Sequence, residues 1–152
     1  MWARLRRFSA LPRPAKVMFV RAVLLFPVIT MSLRLRGFRA TQHWLQSCLG
    51  KPAAARLSAD AASSEVQMVS RMVLAAARHS FGAATCLERS LALWWLLARD
   101  GVPTELRIGV RKAGEKFEAH AWIERDGAAI GEREAAHLHY AAFEKVFSEE
   151  LR

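Results

Sequence analysis

The spacing of apolar positions along this chain changes from helical to alternating after Pro103, and back to helical at Arg133. Residues 15–35 are almost continuously apolar between scattered basic residues, with Pro27 in the middle, which predicts two short helical segments separated by a kink. Residues 41–49 read as a further short helix closed by Gly50 and Pro52. Residues 51–64, rich in Ala and Ser, read as a linker or short helix. From Glu65, the residues Val66, Val69, Val73 and Ala77 recur at helical spacing, with Met68, Met72 and Leu74 alongside. The next helix runs from Cys86 to about Arg99 and is stopped by Asp100-Gly101-Val102-Pro103.

Beyond Pro103, Leu106, Ile108 and Val110 alternate with Arg107, Gly109 and Arg111, the pattern of a half-buried strand. Lys112-Ala113-Gly114-Glu115 is a hairpin turn, and residues 116–124 form a second strand. On it His120, Trp122 and Glu124 share one face, and Phe117, Ala119, Ala121 and Ile123 the other. Asp126-Gly127 is a hairpin signal that leads into a short third strand at Ala128-Ala129-Ile130. Residues 133–152 return to helical spacing. Helices followed by an antiparallel meander and a terminal helix make an α+β fold.

Composition sharpens the division of the chain. Residues 1–60 hold 11 Lys and Arg against a single acid, Asp60, whereas residues 61–152 are close to neutral. The chain therefore divides into a basic helical N-terminal extension or subdomain, 1–60, and a core, 61–152. The basic third suits an acidic peptide, an acidic partner protein or an anionic membrane. Its cations are interleaved with aliphatic runs and carry no recognition motif, so no nucleic acid is expected. The longest charge-free run, residues 22–33, is too short to span a bilayer. The basic start is signal-like, but no small-residue cleavage site follows it. Residues 15–35 are expected to pack partly on the core and partly to present an arginine-rimmed docking surface, with peripheral membrane contact through the same residues as a further reading that can coexist with these. Cys48 and Cys86 form no paired-cysteine motif, which points to a reducing cytoplasmic setting.

The stretch with chemistry is Thr85-Cys86-Leu87-Glu88. Thr85 and Glu88 have capping-box spacing, which puts Cys86 at the first helical position. There the positive end of the helix dipole favours thiolate over thiol. A buried structural cysteine satisfies the same pattern. An antiparallel meander packed on this helix would bring His120 to the thiol as its base, as in Cys–His proteases, although a half-buried strand histidine is the plainer account of His120 taken alone. A carboxylate on the next strand would orient the imidazole. Glu132 lies at a suitable distance, Glu134 and Asp126 are weaker candidates, and Asp126 is more simply a turn residue. His137 and His139 are two apart and do not face each other on a helix, so no metal site is expected. Trp94 and Trp95 read as packing anchors.

The segments Cys86-Leu87-Glu88-Arg89-Ser90 and His120-Ala121-Trp122-Ile123-Glu124, with Leu106-Arg107-Ile108-Gly109-Val110 between them, closely resemble the stand-alone leader peptidase of lasso-peptide biosynthesis, a transglutaminase-like group of cysteine proteases. The resemblance covers about residues 65–135 and implies a papain-like fold and triad. Cys86 would be the nucleophile, His120 the base, and Glu132 would stand where the family has an aspartate. It implies a cytoplasmic cysteine peptidase, with no cofactor, that removes the leader of a ribosomally made precursor peptide. A small winged-helix-like recognition protein would present the leader, and an ATP-dependent lasso cyclase would act on the freed core. The basic N-terminal third would receive the recognition protein or the leader. Another transglutaminase-like acyl transferase or amidase, or a catalytically weak peptide-binding scaffold, is compatible with the same residues.

Overall fold

The computed structural model of the chain describes residues 10–49, 59–80, 83–131 and 136–143. In chain order these form helix α1 (Arg13–Ser47), helix α2 (Ala59–Ala77), helix α3 (Cys86–Arg99), strands β1 (Glu105–Ala113), β2 (Lys116–Arg125) and β3 (Ala128–Ile130), a short 3-10 turn (Ala136–His139) and strand β4 (Ala141–Ala142). The fold is α+β, with the strands in one antiparallel sheet of order β3-β2-β1-β4.

Two of the expected helices are one in the structure. Helical geometry continues through Pro27, and the departure falls at Gly37, with φ 75° and ψ −179°. A proline removes one backbone donor, but its φ remains helical; a positive φ is open chiefly to glycine and breaks the ladder outright. Pro14, in the first turn, sits where a missing N–H costs nothing.

Helix α1 packs on α2 and α3, and α3 packs on β2. One buried cluster runs through these contacts from Ala15, Phe26, Ile29 and Leu45 on α1, through Val73 on α2 and Leu91 and Leu97 on α3, to Leu106 and Ile123 in the sheet. Each large side chain enclosed this way stabilises the fold by about 1.5–3 kcal/mol, so α1 is held by the same core that holds α3. The tryptophans of α3 act as anchors: Trp94 is buried, and the indole N–H of Trp95 donates to the Leu45 carbonyl at 2.9 Å. The C-terminus of α3 closes as a Schellman motif: Val102 N–H bonds Leu97 O and Gly101 N–H bonds Ala98 O, with Gly101 at φ 77°.

The expected terminal helix over residues 133–152 is corrected where that range is described. Residues 136–139 form a single 3-10 turn, and Ala141 and Ala142 pair with Val110 and Gly109 of β1. The Phe143 N–H adds a bond to the Ile108 carbonyl at 2.9 Å. The apolar residues that suggested a helix face are not inside: Leu138 is 75% exposed and Phe143 47%. The open edge of β1 offered this segment backbone partners, and sheet pairing prevailed over helical spacing.

Candidate active site

Cys86 is the first residue of α3, and the capping box that puts it there is formed in full. Glu88 N–H donates to Thr85 Oγ1 at 3.2 Å, and Thr85 N–H donates to Glu88 Oε2 at 2.7 Å. The Thr85 hydroxyl also donates to Oε2 at 3.0 Å. The other carboxylate oxygen is used as well: Thr30, on α1, donates its hydroxyl to Glu88 Oε1 at 2.6 Å. Burial alone would raise the Glu88 pKa. The hydrogen bonds from Thr30 and Thr85, with the nearby Arg34 charge, outweigh it and hold the carboxyl below its ordinary range. The helix that begins at Cys86 is therefore tied to α1 through a buried, ionised side chain. Cys86 itself is half-buried, Cys48 is exposed, and neither forms a disulfide.

His120 stands on β2 with Trp122 and Glu124 on the same face, as the alternation predicts. Its ring lies nearly parallel to that of Trp122, with centroids 5.9 Å apart and planes at 18°. The Tyr140 ring, from the segment that leads into β4, also lies against it, with centroids 5.0 Å apart and planes at 32°. Arg111 caps the Tyr140 ring at 4.8 Å. The Trp122 indole N–H donates to Glu124 Oε1 at 2.8 Å, and Arg107 Nε donates to Glu124 Oε2 at 3.0 Å. Burial would raise the Glu124 pKa as well, but the bonds from Trp122 and Arg107, with the Arg107 charge, lower it. The result is a chain of contacts, Arg107 to Glu124 to Trp122 to His120, that fixes the plane against which the imidazole lies.

Opposite His120 across the β1–β2 ladder is Gly109. A Cβ there would stand 2.9 Å from the Ala141 carbonyl and 2.9 Å from the Trp122 ring. The missing side chain is what lets β4 close over β1 and the indole lie flat beside His120.

Helix and strand are pinned to each other next to these two residues. Ser90, one turn after Cys86 on the same helix face, donates its hydroxyl to the Ala121 carbonyl at 2.8 Å, and the bond is buried. Among the described residues β3 pairs with Ile123–Arg125 of β2, and two residues before that stretch the Ala121 carbonyl accepts from the helix side chain. Cys86, Arg89, Ser90 and Leu93 of α3 then face His120, Ala121 and Trp122 of β2 across one cavity of about 150 Å³, with Val73, Ile130, Gly131 and Ala136 around it. A thiol at a helix N-terminus and an imidazole on the facing strand of one cleft are the parts that acyl chemistry through a thioester requires.

Of the proposed acids, Glu132 and Glu134 lie outside the described residues. Asp126 is a turn residue: it and Gly127 both have positive φ, 53° and 75°, and its carboxylate pairs with Arg125 at 3.4 Å. Among the described residues no group of three or more His, Cys, Asp or Glu side chains is gathered for a metal ion. Sequence reasoning assigned no role to Thr30, Ser90, Glu124 or Tyr140. Ser90 was legible, since it follows Cys86 by four, and Glu124 could have been paired with Arg107 from the length of the hairpin. Thr30 and Tyr140 reach the site from distant segments, and no local spacing marks them.

The model of the transglutaminase-like superfamily matches residues 29–145, a span that begins within α1 and takes in both Cys86 and His120. No curated protein and no solved structure matches the chain.

Proposed function

The chain belongs to the transglutaminase-like superfamily, which includes cysteine proteases and acyltransferases, and from that premise we propose that it is a cysteine peptidase that removes the leader from a lasso-peptide precursor. The observation that carries the proposal is the placement of Cys86, at the start of α3, and His120, on β2, around one cavity. In this reading His120 takes the Cys86 proton, and Sγ attacks the carbonyl of the bond between leader and core. The oxyanion is met by backbone N–H groups that the first turn of α3 leaves without a helical partner, that of Cys86 foremost. His120 returns the proton to the leaving core amine as the C–N bond breaks, leaving a thioester between Cys86 and the leader. It then takes a proton from water, which attacks the thioester and releases the leader carboxylate and the thiol. Glu132 is assigned to orient His120.

The specificity for a lasso precursor is supported by the Cys86-Leu87-Glu88-Arg89-Ser90 and His120-Ala121-Trp122-Ile123-Glu124 segments. By the same resemblance, a winged-helix-like recognition protein presents the leader and the lasso cyclase receives the core. The test is to mix the protein with a lasso precursor peptide, with and without its recognition protein, and follow the masses. A single cut that frees the core, increased by the recognition protein and absent in Cys86→Ala, is the expected result. An intact precursor under all conditions, or cutting that survives Cys86→Ala, would refute the proposal.

A further inference from the structure

Helix α1 has two apolar faces, and the core accounts for one. Ala15, Met18, Ala22, Phe26 and Ile29 are buried against α2 and α3. Nearly opposite, Val17, Val20, Leu24, Val28, Met31 and Leu35 recur at intervals of three and four and are exposed, Leu24 by 64%, Met31 by 57% and Leu35 by 75%. At 1.5 Å per residue this second stripe is about 27 Å long. Contiguous exposed apolar surface of this kind marks a contact with something outside the chain.

The charges beside the stripe say what that is. With 100° between successive residues, Arg21 and Arg36 border it on one side and Lys16 and Arg34 on the other, and Arg13 stands at its N-terminal end; Arg21 and Arg34 also act on the Asp100 and Glu88 carboxylates of α3. From Arg13 to Ser47 there is no acidic residue. At its C-terminal end the stripe forms part of an apolar groove of about 440 Å³, where Val28, Met31 and Leu35 are joined by Pro27, Trp44 and Arg36. A straight apolar strip with cations along both borders matches a flat surface that is apolar below and anionic above.

We propose that α1 is a membrane-surface helix, lying in the plane of an anionic bilayer with Val17, Leu24, Met31 and Leu35 among the acyl chains and Arg13 and Arg36 at the headgroup phosphates. By length and composition α1 is also able to cross a membrane. Its opposite face is packed along α2 and α3, so it cannot be surrounded by lipid; it lies on the bilayer and carries the catalytic cleft with it. The inference rests on the outer face of α1 alone and is independent of the chemistry assigned to Cys86.

Flotation of the full chain with phosphatidylcholine vesicles, with and without phosphatidylglycerol, tests it. The protein is expected to float with the anionic vesicles and to partition about tenfold less onto neutral ones, with salt weakening the difference. Leu24→Glu/Met31→Glu is expected to lower partition by about tenfold or more at unchanged circular dichroism. Arg13→Gln/Arg36→Gln, which leaves the apolar stripe intact, is expected to lower the preference for anionic vesicles. A wild-type protein that stays with the soluble fraction overturns the proposal, including the case in which the same face instead binds a second copy or another protein. Flotation of Leu24→Glu/Met31→Glu at the wild-type level overturns it equally.

Discussion

Ser90 and Ala121 are joined by a buried hydrogen bond of 2.8 Å, from a side chain one turn past Cys86 to the carbonyl of the residue after His120. The bond sets the position of the α3 N-terminus along β2, and with it the separation of the thiol and the imidazole. Ser90→Ala leaves a buried carbonyl without its partner and is expected to cost about 1–3 kcal/mol in urea unfolding. It should also slow alkylation of Cys86. Ser47→Ala, which removes an exposed hydroxyl bonded to its own helix, is expected to stay within about 0.5 kcal/mol and leave alkylation unchanged.

Glu88 gives a pH dependence with a definite sign. Its carboxyl is held below the ordinary value of 4.5, so the ionised form favours the folded state. That stability is complete above about pH 4.5 and is lost as the pH falls through the lower folded value. Glu88→Gln is therefore expected to cost about 1–3 kcal/mol at neutral pH, and the gap to wild type should close on acidification. Thermal unfolding of both proteins across that range checks it. A gap that widens towards low pH would mean that Glu88 is not ionised in the folded protein.

Gly109→Ala tests the packing around His120. The new methyl would meet the Ala141 carbonyl and the Trp122 ring, each at 2.9 Å, and one of the two is backbone. Displacement of β4 or of the indole is expected to cost about 1–3 kcal/mol. Because Trp122 and Tyr140 lie against the imidazole, the variant should also lose Cys86 reactivity, read by the same alkylation assay.

What was legible in the sequence was local. The capping box of Thr85 and Glu88, the stop at Gly101 and the positive-φ turn at Asp126-Gly127 depend on neighbours within a few residues, and each formed as the spacing predicts. The alternation that put His120, Trp122 and Glu124 on one face is also local. The terminal segment was misread because Leu138 and Phe143 mimic a helix face, whereas its partner is the β1 edge, more than twenty residues earlier. Pro27 was given the break that belongs to Gly37 because proline is the stronger helix breaker by composition, while only the backbone geometry reveals a positive φ. Thr30 illustrates the remaining gap: its bond to Glu88 joins residues 58 apart, and no short-range pattern encodes that.

The central claim is that Cys86 is an activated nucleophile paired with His120. It is tested most directly by intact-mass and peptide-level analysis after brief iodoacetamide treatment at mildly acidic pH. Cys48, the more exposed of the two cysteines, serves as the internal reference. The account predicts that Cys86 is alkylated faster than Cys48 in the wild type and loses that advantage in His120→Ala. Labelling that follows exposure, with Cys48 ahead in both proteins and no effect of His120→Ala, would contradict it.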